Sequence, residues 1–256
     1  QRVVLDHWAL LGAPDRHVVQ ATDDQEDVAR VFERYNLISA PVVDGAGRLV
    51  GVLTVDDIVD VIQEEADEDV KALGGVAADE ELSDSFWYIA KSRFSWLLVN
   101  LIAANLASAV ISLFEDELQK LVALAVLMPI VASQGGNAAT QTMTVAVRAI
   151  ATRELRASNA KRVIARELLV GLFNGVVFAV IMAAVVFARF GVADLGYVIA
   201  LAMIINLVAA ALGGILVPLT LNRMGVDPAV SSGPFVTTIT DVIGFFAFLG
   251  IAALWF

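Results

Sequence analysis

The sequence predicts a mainly α-helical membrane protein, with five transmembrane helices preceded by a small α/β module. Three observations predict it. Hydrophobic residues make up 58% of the 256 positions and the mean hydropathy is +0.75, whereas soluble domains are about half apolar. The apolar residues gather in long runs after residue 93, as membrane-crossing segments require. Charge divides along the chain too: residues 1–85 carry 20 Asp+Glu against 6 Lys+Arg, and residues 86–256 carry 8 against 11. The predicted organisation is an acidic regulatory module over 1–70, a connecting segment over 71–91 and a five-helix membrane domain over 92–256.

Within the module, Val18–Ala21 reads as a short strand, and Thr22 or Asp23 is placed to cap a helix running through Tyr35 with Val28, Val31 and Phe32 on one face. Ile38–Val43 reads as a second strand, Asp44-Gly45-Ala46-Gly47 as a turn and Leu49–Leu53 as a third strand. Thr54 then caps a helix whose apolar positions are Val55, Ile58, Val59 and Ile62. This order, with Ser39-Ala40-Pro41-Val42-Val43-Asp44 and Gly51-Val52-Leu53-Thr54-Val55-Asp56-Asp57, resembles a CBS module over about 50 residues. The resemblance implies pairing with a second module and, in nucleotide-binding members, ribose contacts that fall here on Thr54 and Asp57, so ATP is one implied ligand. Residues 1–17 do not make a complete first module. The chain opens at Gln1 rather than Met, without a signal peptide ahead of the first element, and reads as a piece of a longer protein.

The last helix of the module runs into carboxylates. Asp57, Asp60, Glu64, Glu65, Glu68 and Asp69 recur at three- and four-residue steps, so several share a face and repel. Water and salt can offset that repulsion, which makes an ordinary exposed acidic helix the plainer reading. A hard cation can also offset it, and a set of oxygen ligands without His or Cys suits Mg²⁺ or Ca²⁺.

Five segments reach the roughly 20 residues needed to cross a bilayer: Ser92–Phe114, Leu121–Val147, Leu168–Phe190, Leu195–Leu221 and Val230–Phe256. Asp84–Lys91 either continues the first helix or forms a separate linker helix. Pro129, Gly135 and Gly136 in the second segment, and Gly213, Gly214 and Pro218 in the fourth, allow kinks and close helix approach. The loop from Arg148 to Arg166 holds six basic residues, whereas Glu115-Asp116-Glu117 at the opposite end is acidic. An excess of Lys and Arg marks the cytoplasmic side. The N-terminal head is therefore expected in the cytoplasm and the C-terminus outside.

Composition removes several function classes. Without Cys there is no disulfide scaffold, thiol catalysis or Cys-ligated zinc, and His7 and His17 make no metal-spaced pair. An acidic head lacks the basic face that nucleic acid needs. With no nucleophile–base pair, hydrolase motif or phosphate loop, an enzyme is not expected.

The polar groups inside the predicted spans carry the functional reading. Asp241 is the only carboxylate well inside one, about 16 Å from the start of the last helix and close to the middle of a ~30 Å core. Its helix holds no Lys or Arg. A charge there costs several kcal/mol unless it faces water, a partner or an ion. A protonated Asp bonded to a neighbouring helix would satisfy the chemistry, as would a water-lined cation path. Thr237, Thr238 and Thr240 surround it, and Pro234 frees a carbonyl near Val230. In the second span Asn137, Thr140, Gln141 and Thr144 fall on one side as a polar stripe suited to a helix interface or a pore wall.

Met128-Pro129, Gly135-Gly136-Asn137, Gln141 and Arg148-Ala149, followed by Asp227-Pro228-Ala229, Gly233-Pro234, Thr238-Ile239-Thr240-Asp241 and Gly244, resemble the MgtE family of magnesium channels. With the acidic head, the resemblance covers nearly the whole chain. It implies a homodimer in a bacterial or archaeal plasma membrane. Its pore would lie on the two-fold axis, lined by the second and fifth helices with Gly136, Asn137, Thr140, Gln141, Pro234, Thr237 and Thr238. Asp241 matches the intramembrane aspartate that holds hydrated Mg²⁺, while Asp57, Asp60, Glu65, Glu68 and Asp69 match positions that bind regulatory Mg²⁺. On this reading hydrated Mg²⁺ enters the cytoplasm, and high Mg²⁺ bridges the acidic heads and closes the pore. Two other readings remain open at this point: a broader pathway for Mn²⁺, Co²⁺ or Ni²⁺, and a membrane-anchored, nucleotide-sensing regulator.

Overall fold

The computed structural model describes residues 18–256 except Ala157, and Ser231 by its backbone alone. The readings that fall on residues 1–17, including His7 and His17, lie outside the described residues. The chain divides into two compact units, Gln1–Val70 and Lys71–Phe256.

The first unit is α/β. Its elements are β1 (Val19–Gln20), α1 (Gln25–Tyr35), β2 (Ser39–Val43), β3 (Leu49–Thr54) and most of α2 (Val55–Leu73). The sheet order is β1-β2-β3. β1 runs parallel to β2, with Val19 opposite Val42, and β2 runs antiparallel to β3, with Ala40 opposite Leu53. Val19, Val28, Ala29, Phe32, Ala40 and Ile58 form the core, which is the apolar face that the helical spacing of Val28 and Phe32 required.

The cap of α1 falls on Asp24, not on Thr22 or Asp23. Asp24 Oδ1 accepts from Glu26 N at 2.9 Å. Asp23 is already engaged one turn earlier, accepting from Gln20 N at 2.8 Å. In the β2–β3 turn Asp44 Oδ1 accepts from Ala46 N and Arg48 N, each at 2.9 Å. The Arg48 amide and guanidinium hold the Asp44 carboxyl below the usual carboxylate range.

The second unit is helical: α3 (Phe86–Ser112), the short α4 (Glu115–Lys120), α5 (Val122–Ala151), α6 (Ala160–Phe190), α7 (Ala193–Arg223) and α8 (Pro228–Trp255). All but α4 are long and apolar enough to cross a membrane. The helices exceed the sequence-predicted spans mainly at the ends where charge gathers. α3 starts at Phe86, capped by Ser85, so Phe86–Lys91 continues the first helix instead of forming a separate one. α6 starts eight residues before Leu168 and carries Lys161, Arg162 and Arg166 in its opening turns. The acidic Glu115-Asp116-Glu117 is the first turn of α4, where Glu117 pairs with Lys120 at 2.7 Å.

Between Leu73 and Phe86 the chain makes turns. Lys71 Nζ donates to Ala78 O at 2.6 Å, and the buried Glu80 pairs with Arg93. Gly75 has φ +71°, and a Cβ there would run into the Trp96 indole. This position therefore needs glycine on both conformational and steric grounds.

α7 is the most buried of the long helices and α3 the least. α7 packs against α5, α6 and α8, and α8 packs in turn on α5 and α3. Leu195, Val198, Ile199, Ala202 and Met203 of α7 pack with Leu124, Leu127 and Val131 of α5 and Phe248 and Leu249 of α8. A second cluster joins Ala72, Ala139, Met143, Val147, Ala210, Ala229 and Val236. Within the second unit, the C-terminal half of α5 and the start of α8 thus meet around Ala210 of α7 and Ala72.

Candidate functional site

α5 has two unlike faces. Val131, Gly135, Ala139 and Met143 are buried against the bundle, while Ser133, Asn137, Thr140, Gln141 and Thr144 are exposed. A lipid-facing surface would be apolar, so an exposed polar stripe at this depth calls for water or a partner helix. Thr140 Oγ1 donates to Gly136 O and Thr144 Oγ1 to Thr140 O, each at 2.9 Å. With their protons committed to the backbone, these hydroxyls present acceptor lone pairs outward. Such groups suit the waters around a cation.

α8 supplies the charge. Asp227 caps it, accepting from Ala229 N at 2.8 Å, and Pro228 stands in the first turn where its missing N–H costs nothing. Pro234 interrupts the ladder within the helix and is buried in the single chain. The hydroxyls that follow bond back to the loosened turn. Thr237 Oγ1 lies 3.1 Å from Gly233 O and 3.2 Å from Pro234 O, and Thr238 Oγ1 donates to Pro234 O. Thr237 and Thr238 are half-buried, whereas Thr240 is fully buried and bonds to Thr237 O at 2.9 Å.

Asp241 comes next, about 20 Å along a helix of about 42 Å. It is half-buried. Among the described residues it has no hydrogen bond or ion pair, and α8 contains no Lys or Arg. α5 and α8 pack directly against each other, which puts the polar stripe and the aspartate on neighbouring helices.

The acidic positions of α2 are differently placed. Asp57, Asp60 and Glu68 are exposed, and Glu65 and Asp69 are half-buried. Asp57 accepts from Thr54 N at 3.2 Å and Thr54 Oγ1 at 2.9 Å, so the cap predicted at Thr54 takes the form of a carboxylate reaching back from the first turn of the helix. Glu65 Oε1 accepts from Gln25 Nε2 at 2.9 Å. Among the described residues no three His, Asp or Glu side chains converge closely enough to hold a metal ion.

Glu80, Asn206 and Ser232 are buried polar residues that the sequence pattern does not single out, and Asn206 lies deepest among the long helices. Asn206 on α7 is fully buried, and its Nδ2 donates across the bundle to Val131 O of α5 at 2.8 Å. A single amide midway along an otherwise apolar stretch was the available signal.

Residues 128–251 match the profile of the MgtE family, described as a divalent cation transporter, and residues 13–64 match that of the CBS domain. Residues 128–251 belong to the MgtE family. The MgtE stretch takes in α5 from Met128, all of α6 and α7, and α8 as far as Ile251, and so contains the polar stripe and Asp241. Three curated proteins named "Magnesium transporter MgtE" are similar to this chain. That of Bacillus subtilis is 36% identical over 95% of the chain and 56% of its own length. That of Enterococcus faecalis is 38% identical over 93% and 52%, and that of Thermus thermophilus 36% identical over 92% and 53%. The chain spans about half the length of these relatives. With five long apolar helices and an MgtE domain, it is an integral membrane protein.

Proposed function

We propose that this chain forms the membrane pathway of a Mg²⁺ channel or transporter, with a transport role and no catalytic one. The observation that carries the reading is Asp241: a half-buried carboxylate midway along an apolar helix, without a basic partner among the described residues, on the helix packed beside an exposed polar stripe. The three similar proteins, each named a magnesium transporter, support the choice of ion.

The mechanism follows from hydration. Mg²⁺ gives up its inner waters reluctantly, so Asp241 holds the ion through them, and the acceptor oxygens of Asn137, Thr140, Gln141, Thr237 and Thr238 hold the outer waters. Gly136 keeps the wall open, and Pro234 contributes through the carbonyl it frees. A second copy completes the path: the polar stripe exposed on α5 of one chain then faces water on a shared axis, and two Asp241 carboxylates favour a divalent over a monovalent ion because attraction scales with charge. Release requires that this binding stay weak.

The head lies in the cytoplasm of a bacterial or archaeal cell and the C-terminus outside, in keeping with the basic α5–α6 loop, and Mg²⁺ passes inward. Asp57, Asp60, Glu65, Glu68 and Asp69 sense cytosolic Mg²⁺. They are strung along one helix without converging, so a regulatory ion there bridges to carboxylates of another copy. Such bridging favours the closed state only if the ion binds that state more tightly. Thr54 and Asp57, 2.9 Å apart, are the pair that would meet the ribose of ATP.

Mg²⁺ flux into proteoliposomes tests the reading. Asp241→Asn removes the charge and keeps the shape, and flux is expected to fall to background. Wild-type flux through this variant would refute the proposal.

A further inference from the structure

We propose that Asn206 is a positioning residue for ion selectivity: it pins α7, against which the aspartate helix α8 packs, to the polar helix α5 and so sets the spacing of the groups that face the ion. This rests on the pore reading above. Asn206 lies about 20 Å along α7 and is fully buried. Its Nδ2 donates to Val131 O at 2.8 Å, while its Oδ1 is buried with no partner among the described residues.

Two glycines shape the slot that holds the amide. A Cβ on Gly135 of α5 would collide with Asn206 Nδ2. A Cβ on Gly244 of α8 would lie 2.7 Å from Nδ2, 3.0 Å from Cγ and 3.1 Å from Oδ1. Neither glycine has φ in the left-handed region, so the requirement at both is for space. Gly135 directly precedes Gly136 and Asn137, and Gly244 lies three residues beyond Asp241. The amide therefore touches the back of both ion-facing helices next to the residues that matter.

An apolar side chain of similar volume would fill this slot without stranding a buried oxygen, whose desolvation is unfavourable. A side chain retained only for packing gains nothing from an amide here. A directional bond to one backbone carbonyl does something that packing cannot: it fixes α7, the helix on which α8 packs, at one height along α5. A shift of α8 along α5 would move Asp241 relative to the Asn137 stripe. Divalent ions carry the same charge and differ in the size and hold of their water shells, so that spacing bears on which ion is preferred.

The test uses the intact protein in proteoliposomes, with Mg²⁺ flux measured alone and against competing Ca²⁺ and Mn²⁺. Asn206→Leu keeps the number of side-chain heavy atoms and the branch at Cγ and deletes the bond. Expected are a folded protein that still conducts, an apparent KM for Mg²⁺ raised roughly three- to tenfold, the range of an interhelical amide bond, and a preference for Mg²⁺ over Ca²⁺ reduced by a similar factor. Gly135→Ala, which displaces the amide, is expected to shift selectivity the same way, and combining it with Asn206→Leu to add little, because both act on one contact.

A role in stability alone would lower the amount of folded protein and scale the flux of all ions equally. That result, or unchanged KM and selectivity in Asn206→Leu while Asp241→Asn is inactive, overturns the inference and leaves the pore reading standing. Wild-type flux in Asp241→Asn overturns both.

Discussion

Two sets of carboxylates in this chain face opposite physical problems. Along α2 they are many, exposed or half-exposed, and partly engaged, with Asp57 bonded to Thr54 and Glu65 to Gln25. On α8 there is one, half-buried at mid-helix and with no partner among the described residues. An exposed carboxylate costs little to keep charged, so its presence says little about function, and only the crowding of several at helical steps suggests a cation. A carboxylate amid apolar helices is expensive, so its presence alone is informative. Removing charge from the two sites should therefore have unequal and different consequences.

The largest effect belongs to α8. Asp241→Glu keeps the charge but pushes it one methylene further out, and Mg²⁺ flux is expected to fall about tenfold or more, since geometry at a selective site is set within about an ångström. Asp241→Asn goes to background. If the glutamate variant conducted as well as wild type, the site would be a diffuse negative potential and not a placed ligand. The next effect belongs to α2. Asp60 and Glu68 are exposed, and neither has a hydrogen bond or ion pair among the described residues. Replacing both by Asn and Gln is expected to leave flux at low Mg²⁺ unchanged and to raise the Mg²⁺ concentration that half-inhibits flux by roughly fivefold, about 1 kcal/mol of lost differential binding. A fall in flux at low Mg²⁺ with unchanged inhibition would reverse the roles assigned to the two sets.

The sequence showed more of the membrane unit than of the head's details, for a physical reason. A bilayer imposes one length and one composition on each span, so all five spans overlap the long helices α3, α5, α6, α7 and α8. Their ends were harder, because Lys161, Arg162 and Arg166 look like loop residues by hydropathy yet continue α6 beyond the apolar core. Asp241 and the Asn137–Thr144 stripe were visible because polarity is conspicuous in an apolar run. Asn206 is equally polar, but its meaning lies in the backbone carbonyl of Val131 and the two glycines around it, none of them near in sequence. In the head, periodicity located the helices but not the cap. Thr22, Asp23 and Asp24 are all capable, and the choice falls on Asp24 because Asp23 is bonded to Gln20.

That cap supplies the smallest prediction, and it serves as the control for the larger ones. Asp24→Ala removes one acid from the head without touching α2. The Asp24–Glu26 bond at 2.9 Å closes the first turn of α1, which buries Val28, Ala29 and Phe32. Its loss should cost about 1 kcal/mol, seen as a roughly fivefold faster hydrogen exchange of α1 amides in the intact protein. The Mg²⁺ concentration for half-inhibition should stay where it is. If it moved as far as in the Asp60/Glu68 double variant, total negative charge on the head, and not carboxylates lined along one helix, would be what the ion reads.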